Sequence, residues 1–98
     1  MDIRIATVLE AEKVPKTQKL MKLKVDTGMD IRTVVSGIAE HFEAKDLIGK
    51  QVTLLANLEP RMIKGIESKG MILLAEDNSG KLIFVTPEEA MPNGSVVK

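Results

Sequence analysis

The sequence of 98 residues contains no cysteine, no tryptophan and no tyrosine, and apart from one histidine its only aromatic residues are two phenylalanines. A chain without cysteine forms no disulfide, no thiolate zinc site and no cysteine nucleophile. The single histidine, His41, cannot by itself form a zinc site or a catalytic triad of the usual kind. No apolar run approaches the roughly 18 residues of a membrane span, and no signal-peptide pattern opens the chain. These absences predict a cytoplasmic protein without membrane contact.

Nucleotide-binding and catalytic motifs are missing as well. Gly65 to Gly70 has the spacing of a phosphate-binding loop, but Met71 follows where that motif requires lysine and then serine or threonine. Neither Ser36 nor Ser68 lies between the glycines of a nucleophile elbow. We therefore expect this chain to hold no catalytic residue, no metal site and no cofactor.

The charges balance at 14 basic and 14 acidic residues, but they are unevenly distributed. Between Lys13 and Lys24 there are five lysines and no acid, which predicts a basic patch. The stretch from Glu76 to Lys98 holds four acids and two lysines. A net charge of zero argues against indiscriminate binding of polyanions, and a solvated lysine-rich surface is the alternative interpretation of the patch.

Alternation of apolar and polar residues indicates that strands dominate the chain. The second predicted strand begins at Met21 and ends at the turn around Gly28, and the third, Ile31 to Ser36, forms a hairpin with it. The first predicted strand buries every second residue: Ile3, Ile5, Thr7, Leu9 and Ala11.

The second half of the chain adds a helix and further strands. Ile38 and Phe42 are spaced for one face of a short helix between Gly37 and Gly49. Apolar runs at 51–58, 71–75 and 82–85 predict strands, and a tail follows from 87 to 98. This order matches an OB-fold, a five-stranded Greek-key barrel with its helix between strands 3 and 4. An SH3-like barrel or an α+β sandwich shares most of the pattern.

The stretch from Asn57 to Met71 reads as a loop that carries Arg61, Lys64 and Lys69 between two strands. Two glycines in it permit a positive φ and leave backbone N–H groups accessible to an anion. Because the chain lacks aromatic residues for base stacking, such a loop suits a folded RNA that is recognised by shape. The alternative is a long hairpin turn in which the methionines only fill the core.

This stretch resembles the signature of a tRNA-binding domain family, and eight of its residues carry the match: Asn57, Leu58, Pro60, Arg61, Gly65, Ser68, Gly70 and Met71. Three further segments agree with the family pattern, namely Asp2 to Ile5, Pro15 with Lys19-Leu20, and Arg32 to Ile38. The family includes the C-terminal part of bacterial methionyl-tRNA synthetases, free-standing tRNA-binding proteins and chaperone-like relatives. Glu59 departs from it, since the family usually has lysine there.

The resemblance implies a single OB-fold domain, residues 1–98, that is all-β and has a short C-terminal extension. It further implies a non-catalytic appendix that binds tRNA by structure more than by sequence, forms a homodimer and is attached to the catalytic region of a methionine-tRNA ligase. Met91 and Val96-Val97 supply apolar surface for a dimer, although the tail could instead fold over its own barrel.

The residues expected to contact tRNA are Asn57, Arg61, Lys64, Ser68 and Met71 around the loop, with Lys19 and Lys22 as phosphate contacts. Asn57 could instead cap the turn at Pro60, and Met71 could instead pack in the core. The competing function is a chaperone-like or protein-interaction dimer that binds unfolded chains, in which six methionines would line an adaptable apolar groove.

Overall fold

The computed structural model describes all residues from 1 to 98. It contains nine strands and a single turn of helix. In chain order the elements are β1 (Ile3–Lys13), β2 (Met21–Asp26), β3 (Ile31–Ser36), α1 (Ala44–Leu47), β4 (Gln51–Leu55), β5 (Arg61–Ile63), β6 (Ile66–Ser68), β7 (Met71–Ile72), β8 (Leu74–Glu76) and β9 (Leu82–Phe84). No helix has the length and the apolar character that a membrane crossing requires.

Five strands form one antiparallel sheet in the order β3-β2-β1-β4-β7. The sheet curls until the free edge of β3 meets the end of β6. There the Lys69 N–H donates to the Thr33 carbonyl oxygen at 2.9 Å, and the Val35 N–H donates to Ser68 Oγ at 2.9 Å. These bonds close the barrel, and the expected all-β, OB-like class is confirmed.

The β2–β3 hairpin agrees with its prediction. Met21, Leu23 and Val25 are fully buried on one face of β2, and the lysines between them point outward. Strand β3 has the predicted bounds and pairs with β2 from Met21 opposite Ser36 to Asp26 opposite Ile31. Strict alternation on a half-buried strand is a reliable signal because successive side chains point to opposite faces.

The predicted buried face of β1 is only partly correct: Ile5 is buried and Ala11 packs against the core. Ala6 and Val8 face the core, whereas Leu9 is exposed. A β-bulge between Val8 and Glu10 inserts an extra residue, so the side chains after it change faces. Ile5 is buried on the opposite face, where the tail lies along β1. Because apolar residues lie on both faces of this strand, alternation alone does not identify the face that packs in the core.

The helix predicted between Gly37 and Gly49 is not formed at Ile38 and Phe42. Only the four residues of α1 are helical, and no side chain caps their N-terminus. Ile38 lies in a turn and is buried, while Phe42 packs against Phe84 with ring centroids 4.8 Å apart. Ile38 and Phe42 thus pack against the barrel individually and not as one face of a helix.

The stretch predicted as a loop folds into the β5–β6 hairpin. Its turn residues, Lys64 and Gly65, have φ values of 51° and 80°, as a two-residue turn of the type I′ class requires. The preceding strand ends at Leu55 rather than at 58, and the run from 71 to 75 is divided between β7 and β8. Leu73 lies between them, and it bonds to both sheets: its N–H donates to the Thr53 carbonyl oxygen of β4, and its carbonyl oxygen accepts from Val85 N–H beside β9.

The tail lies along the part of β1 that β2 leaves unpaired. Gly94 N–H donates to the Ile5 carbonyl oxygen at 2.7 Å, and Ile5 N–H donates to the Ser95 carbonyl oxygen at 2.9 Å. The Gln51 amide exchanges two further hydrogen bonds with the backbone of Met91, at 2.6 and 2.9 Å. The tail thus packs on its own barrel, as the alternative interpretation expects, while Met91, Val96 and Val97 remain exposed.

Candidate nucleic-acid interface

A shallow cleft lies where the β5–β6 hairpin meets β3, and it brings together three of the predicted contact residues: Arg61, Ser68 and Met71. Leu58, Ile63 and Val35 add apolar surface, and Glu59 supplies one negative charge. The residues come together because the hairpin folds back onto the edge of β3. The cleft is therefore a product of barrel closure.

Arg61 and Lys64 present free positive charge on the hairpin. Both side chains are exposed, and neither forms an ion pair. Lys64 lies at the tip of the turn, between the end of β5 and the start of β6, and has a positive φ. Unpaired cations at a protruding tip are suited to contact phosphate groups, because no carboxylate has to be displaced first.

Ser68 and Met71 differ in accessibility. Ser68 is only 4% exposed, and its hydroxyl group accepts from Val35 N–H and donates to the Gly70 carbonyl oxygen at 3.4 Å. Its hydrogen-bonding capacity is thus used to hold the hairpin against β3. Met71 is 47% exposed and lines the cleft, so its side chain can be reached from solvent.

Asn57 lies outside this cleft, at the point where the chain leaves β4. Its Oδ1 accepts a hydrogen bond from the Asp2 N–H at 2.9 Å, which ties the start of the chain to the loop. Its Nδ2 group donates to no protein acceptor, and the residue is exposed. Asn57 therefore combines a structural bond with a free donor that can reach a ligand.

The predicted basic patch is largely neutralised within the protein. Lys22 Nζ lies 3.6 Å from Glu12 Oε1, and Lys24 Nζ lies 3.8 Å from Glu10 Oε2. Strand pairing places Glu12 opposite Lys22 and Glu10 opposite Lys24, so each of these two lysines has a carboxylate directly across from it. Lys13 forms a third pair, with a carboxylate 3.9 Å away.

Two lysines of the same segment remain free, and both lie in the loop between β1 and β2. Lys16 and Lys19 are exposed and form no ion pair, and Lys16 adopts a φ of 65°. The Lys19 carbonyl oxygen accepts from the Ala39 N–H at 2.9 Å, which fixes this loop beside the end of β3. The positive charge expected along the whole segment is thus concentrated in this loop.

A groove between β3 and the hairpin contains Arg32, a residue that sequence reasoning did not place at the site. Lys22, Thr33, Glu67 and Lys69 also line it. Hydrogen bonds from Arg32, and to a lesser extent from Thr27, hold the pKa of the Asp30 carboxyl group below its ordinary value. Arg32 belongs to one of the segments that match the family pattern, and this match could have indicated that it lies near the site.

Comparison with known proteins identifies the family. Residues 3–96 match the model of a family described as a putative tRNA binding domain. The chain belongs to this family. The resemblance inferred from the sequence is confirmed, and the match covers the barrel, the hairpin and most of the tail.

Individual relatives show the same relationship in more detail. A methionine-tRNA ligase of Christiangramia forsetii is 65% identical over 89 residues, which are 91% of this chain and 13% of that protein. The chain therefore spans a small part of the length of the ligases that it matches. Among solved structures, a MetRS related protein from Pyrococcus horikoshii has a TM-score of 0.93 at 39% identity, with 99% of this chain and 89% of that chain covered. Chaperone CsaA from Bacillus anthracis has a TM-score of 0.88 at 28% identity, with 99% and 90% covered.

Proposed function

We propose that the domain binds tRNA through the β5–β6 hairpin and the β1–β2 loop, and that it serves as the tRNA-binding appendix of a cytoplasmic methionyl-tRNA synthetase. The observation that carries the proposal is the position of the unpaired cations. Arg61 and Lys64 lie on the hairpin, and Lys16 and Lys19 lie in the β1–β2 loop. OB-folds use these two loops, with the face of strands 2 and 3 between them, to bind oligonucleotides.

The mode of recognition follows from the groups available. Phe42 and Phe84 pack against each other and are partly buried, so the surface offers no aromatic platform for unstacked bases. Phosphate contacts and a few directional hydrogen bonds remain. Such a surface reads the backbone shape of a folded RNA more than its bases, and we expect little discrimination among tRNA species.

The residues divide into four roles. Arg61, Lys64 and Lys19 contact phosphates, and Lys22 joins them only where RNA displaces its acidic partner. Asn57 donates a hydrogen bond to the RNA through its free amide group. Ser68 acts indirectly by holding the hairpin, while Met71 makes an apolar contact in the cleft.

The attachment to a synthetase is supported by the ligases that the chain matches along 13% of their length. A tethered site raises the local tRNA concentration to the order of mM for a short flexible linker. A weak contact can therefore lengthen the residence of tRNA on the enzyme. Attachment of methionine would occur in a catalytic region outside these residues.

A homodimer completes the proposal. The outer face of the barrel carries a groove whose apolar residues are Ile5, Val85, Met91, Val96 and Val97, and Glu88, Glu89 and Lys98 also line it. Association of two copies through this face would cover these side chains and place two hairpins on one particle. Sedimentation equilibrium at micromolar concentration should give twice the 10.7 kDa monomer mass, and a monomer would contradict this part.

Fluorescence anisotropy with labelled tRNA tests the main proposal. Arg61→Gln and Lys64→Gln should weaken binding to all tRNAs and should each reduce the slope of log affinity against log salt by about one. Lys81→Gln removes an equally unpaired cation from the β8–β9 turn and serves as the matched control. Equal slopes in all three variants, or no tRNA binding by the unmodified domain, would refute the proposal.

Asn57→Ala should behave differently. The amide releases no counterion, so tRNA affinity should fall by about 1–3 kcal/mol with little change in the salt slope. Since Asn57 also accepts from Asp2 N–H, melting curves must accompany the titration. A variant that melts early and, once corrected for unfolding, binds tRNA as the wild type does would assign Asn57 a structural role only.

A second function is favoured by one observation. The cleft is lined in part by exposed apolar side chains, and the fold is shared with a chaperone. Leu58 and Met71 are at least one third exposed there, and Met62 on the neighbouring strand is 67% exposed. A labelled unfolded peptide, measured in the same anisotropy assay, separates the two functions. Peptide binding without any tRNA response would favour the chaperone-like function.

A further inference from the structure

The guanidinium group of Arg32 joins parts of the chain that lie far apart in sequence. Its Nη1 donates to the Ala56 carbonyl oxygen at 2.9 Å and to the Lys69 carbonyl oxygen at 3.2 Å. Nε and Nη2 donate to the two carboxylate oxygens of Asp30 at 3.1 and 3.0 Å. The Arg32 side chain is only 17% exposed, while its partner Asp30 is 51% exposed, so the bond to Ala56 is partly buried and the bonds to Asp30 lie at the surface.

Ala56 and Lys69 mark the two ends of the hairpin segment. Strand β4 ends at Leu55, and β7 begins at Met71, so the chain leaves the main sheet at one of these carbonyl groups and returns at the other. A single nitrogen atom of Arg32 thus holds both ends. Lysine has no planar fork with which to bind a carboxylate on one side and two carbonyl groups on the other.

We propose that Arg32 is a positioning residue for the β5–β6 hairpin, and that it fixes the orientation in which the hairpin meets RNA. The RNA part of this inference rests on the proposed tRNA binding. The structural part, that Arg32 immobilises the hairpin, holds for the free protein.

Pairing of Leu55 with Met71 joins the two ends at the base of the segment, and the other contacts each secure one end. On the return side, Ser68 Oγ accepts from Val35 N–H, and Lys69 N–H donates to the Thr33 carbonyl oxygen. On the outgoing side, Ala56 N–H donates to the Asp2 carbonyl oxygen. Without Arg32 the paired base remains, but the side chain that links both ends to β3 is lost, and the hairpin can pivot about that base. Binding RNA would then require the hairpin to be ordered, which weakens affinity.

Arg32 is poorly placed to bind phosphate itself. Four of its five N–H donors already have acceptors, and two of these acceptors belong to a carboxylate. The Asp30 carboxylate is itself held, because Thr27 Oγ1 donates to its Oδ1 at 2.8 Å. A phosphate contact would require breaking this arrangement.

Hydrogen exchange on the free protein tests the structural part. Arg32→Lys and Arg32→Met should increase amide exchange about tenfold or more from residue 61 to 69, as expected for the loss of charged hydrogen bonds. Arg4→Lys is the matched control. Arg4 is likewise paired with a carboxylate, at 2.7 Å from Asp2, and donates to a backbone carbonyl group, but that group is Gly94 in the tail. The control should loosen the tail and leave the hairpin unchanged.

Titrations with labelled tRNA test the RNA part. Both Arg32 variants should lose about tenfold in affinity at fixed salt, while the salt slope stays within about 0.3 of the wild type. A slope reduced by about one would show that Arg32 contacts phosphate directly, and would overturn the proposal.

Unchanged hairpin exchange in Arg32→Lys would also overturn it. Equal acceleration of amide exchange in all strands of both variants would overturn it as well, because Arg32 would then stabilise the whole fold and not the hairpin in particular. Failure of wild-type tRNA binding would refute the proposed function alone, since the exchange measurement still reports on the hairpin.

Discussion

Replacing Glu12 with glutamine tests whether cross-strand ion pairing limits the RNA affinity of β2. The carboxylate lies 3.6 Å from Lys22 Nζ, and the two side chains are 69% and 40% exposed. Exposed pairs of this kind contribute about 0.2–1 kcal/mol. A phosphate group that binds Lys22 must displace this carboxylate, so Glu12→Gln should tighten tRNA binding by about 1.5- to 5-fold at low salt.

The salt dependence gives a second magnitude. Four cations of the proposed interface form no ion pair, namely Lys16, Lys19, Arg61 and Lys64. If each neutralises one phosphate, the slope of log affinity against log salt is about −3 to −4. Freeing Lys22 adds a fifth contact, so the slope should become steeper by about 0.7–0.9 in Glu12→Gln.

The assay is fluorescence anisotropy of labelled tRNA at salt concentrations from about 50 to 200 mM. Glu76→Gln removes the same charge from the end of β8, where the carboxylate has no cationic partner, and it therefore controls for net charge. The double variant Glu12→Gln/Lys22→Ala should return to the wild-type slope. Equal gains in Glu12→Gln and Glu76→Gln would refute the reasoning, because net charge alone would then explain the effect.

Three further predictions concern stability. Ser68→Ala should lower the free energy of unfolding by about 1–3 kcal/mol in urea titrations, because the buried Val35 N–H loses its acceptor. Gly28→Ala should lower the melting temperature, since a Cβ atom there would lie 2.3 Å from the Asn93 carbonyl oxygen and the residue has a φ of 85°. The pKa of Asp30 is lowered in the folded state, so its stabilising contribution is present above pH 3.8 and is lost as the pH falls through the lowered value. Asp30→Asn should therefore reduce the decrease in the free energy of unfolding at acidic pH.

Alternation predicted the β2–β3 hairpin residue by residue, but β1 only in part. Strand β2 has one purely apolar and one purely polar face, so only one orientation buries the apolar side chains. In β1, apolar residues occur on both faces: Ala6 and Val8 enter the core, and Ile5 is buried on the other face. The bulge then shifts the pattern by one residue. Neither cause is local, so the sequence pattern of β1 alone cannot identify its core face.

The candidate site was predicted from a motif, whereas its internal bonds were not. Arg61, Lys64 and Met71 lie at the surface, where a contact role requires them. Ser68 is buried, because barrel closure places its hydroxyl group against Val35. Whether a polar side chain is left without a hydrogen-bond partner in the protein depends on strands that are distant in sequence. The local sequence of the hairpin does not show which strands these are.

The bulge in β1 links the fold to the distribution of charge. It reverses the faces of the strand, so that Glu10 and Glu12 stand on the outer surface opposite two lysines. Without this reversal the acids would point toward the core side, which would bury their charge at high cost. The same feature that keeps the core apolar therefore neutralises the middle of the lysine-rich segment. The lysines that remain unpaired lie in the loop between β1 and β2, where they can contact the irregular backbone of a folded RNA. A domain of zero net charge can in this way attract a polyanion at one edge. The pairing register of its strands determines which cations already form ion pairs with carboxylates and which are left unpaired.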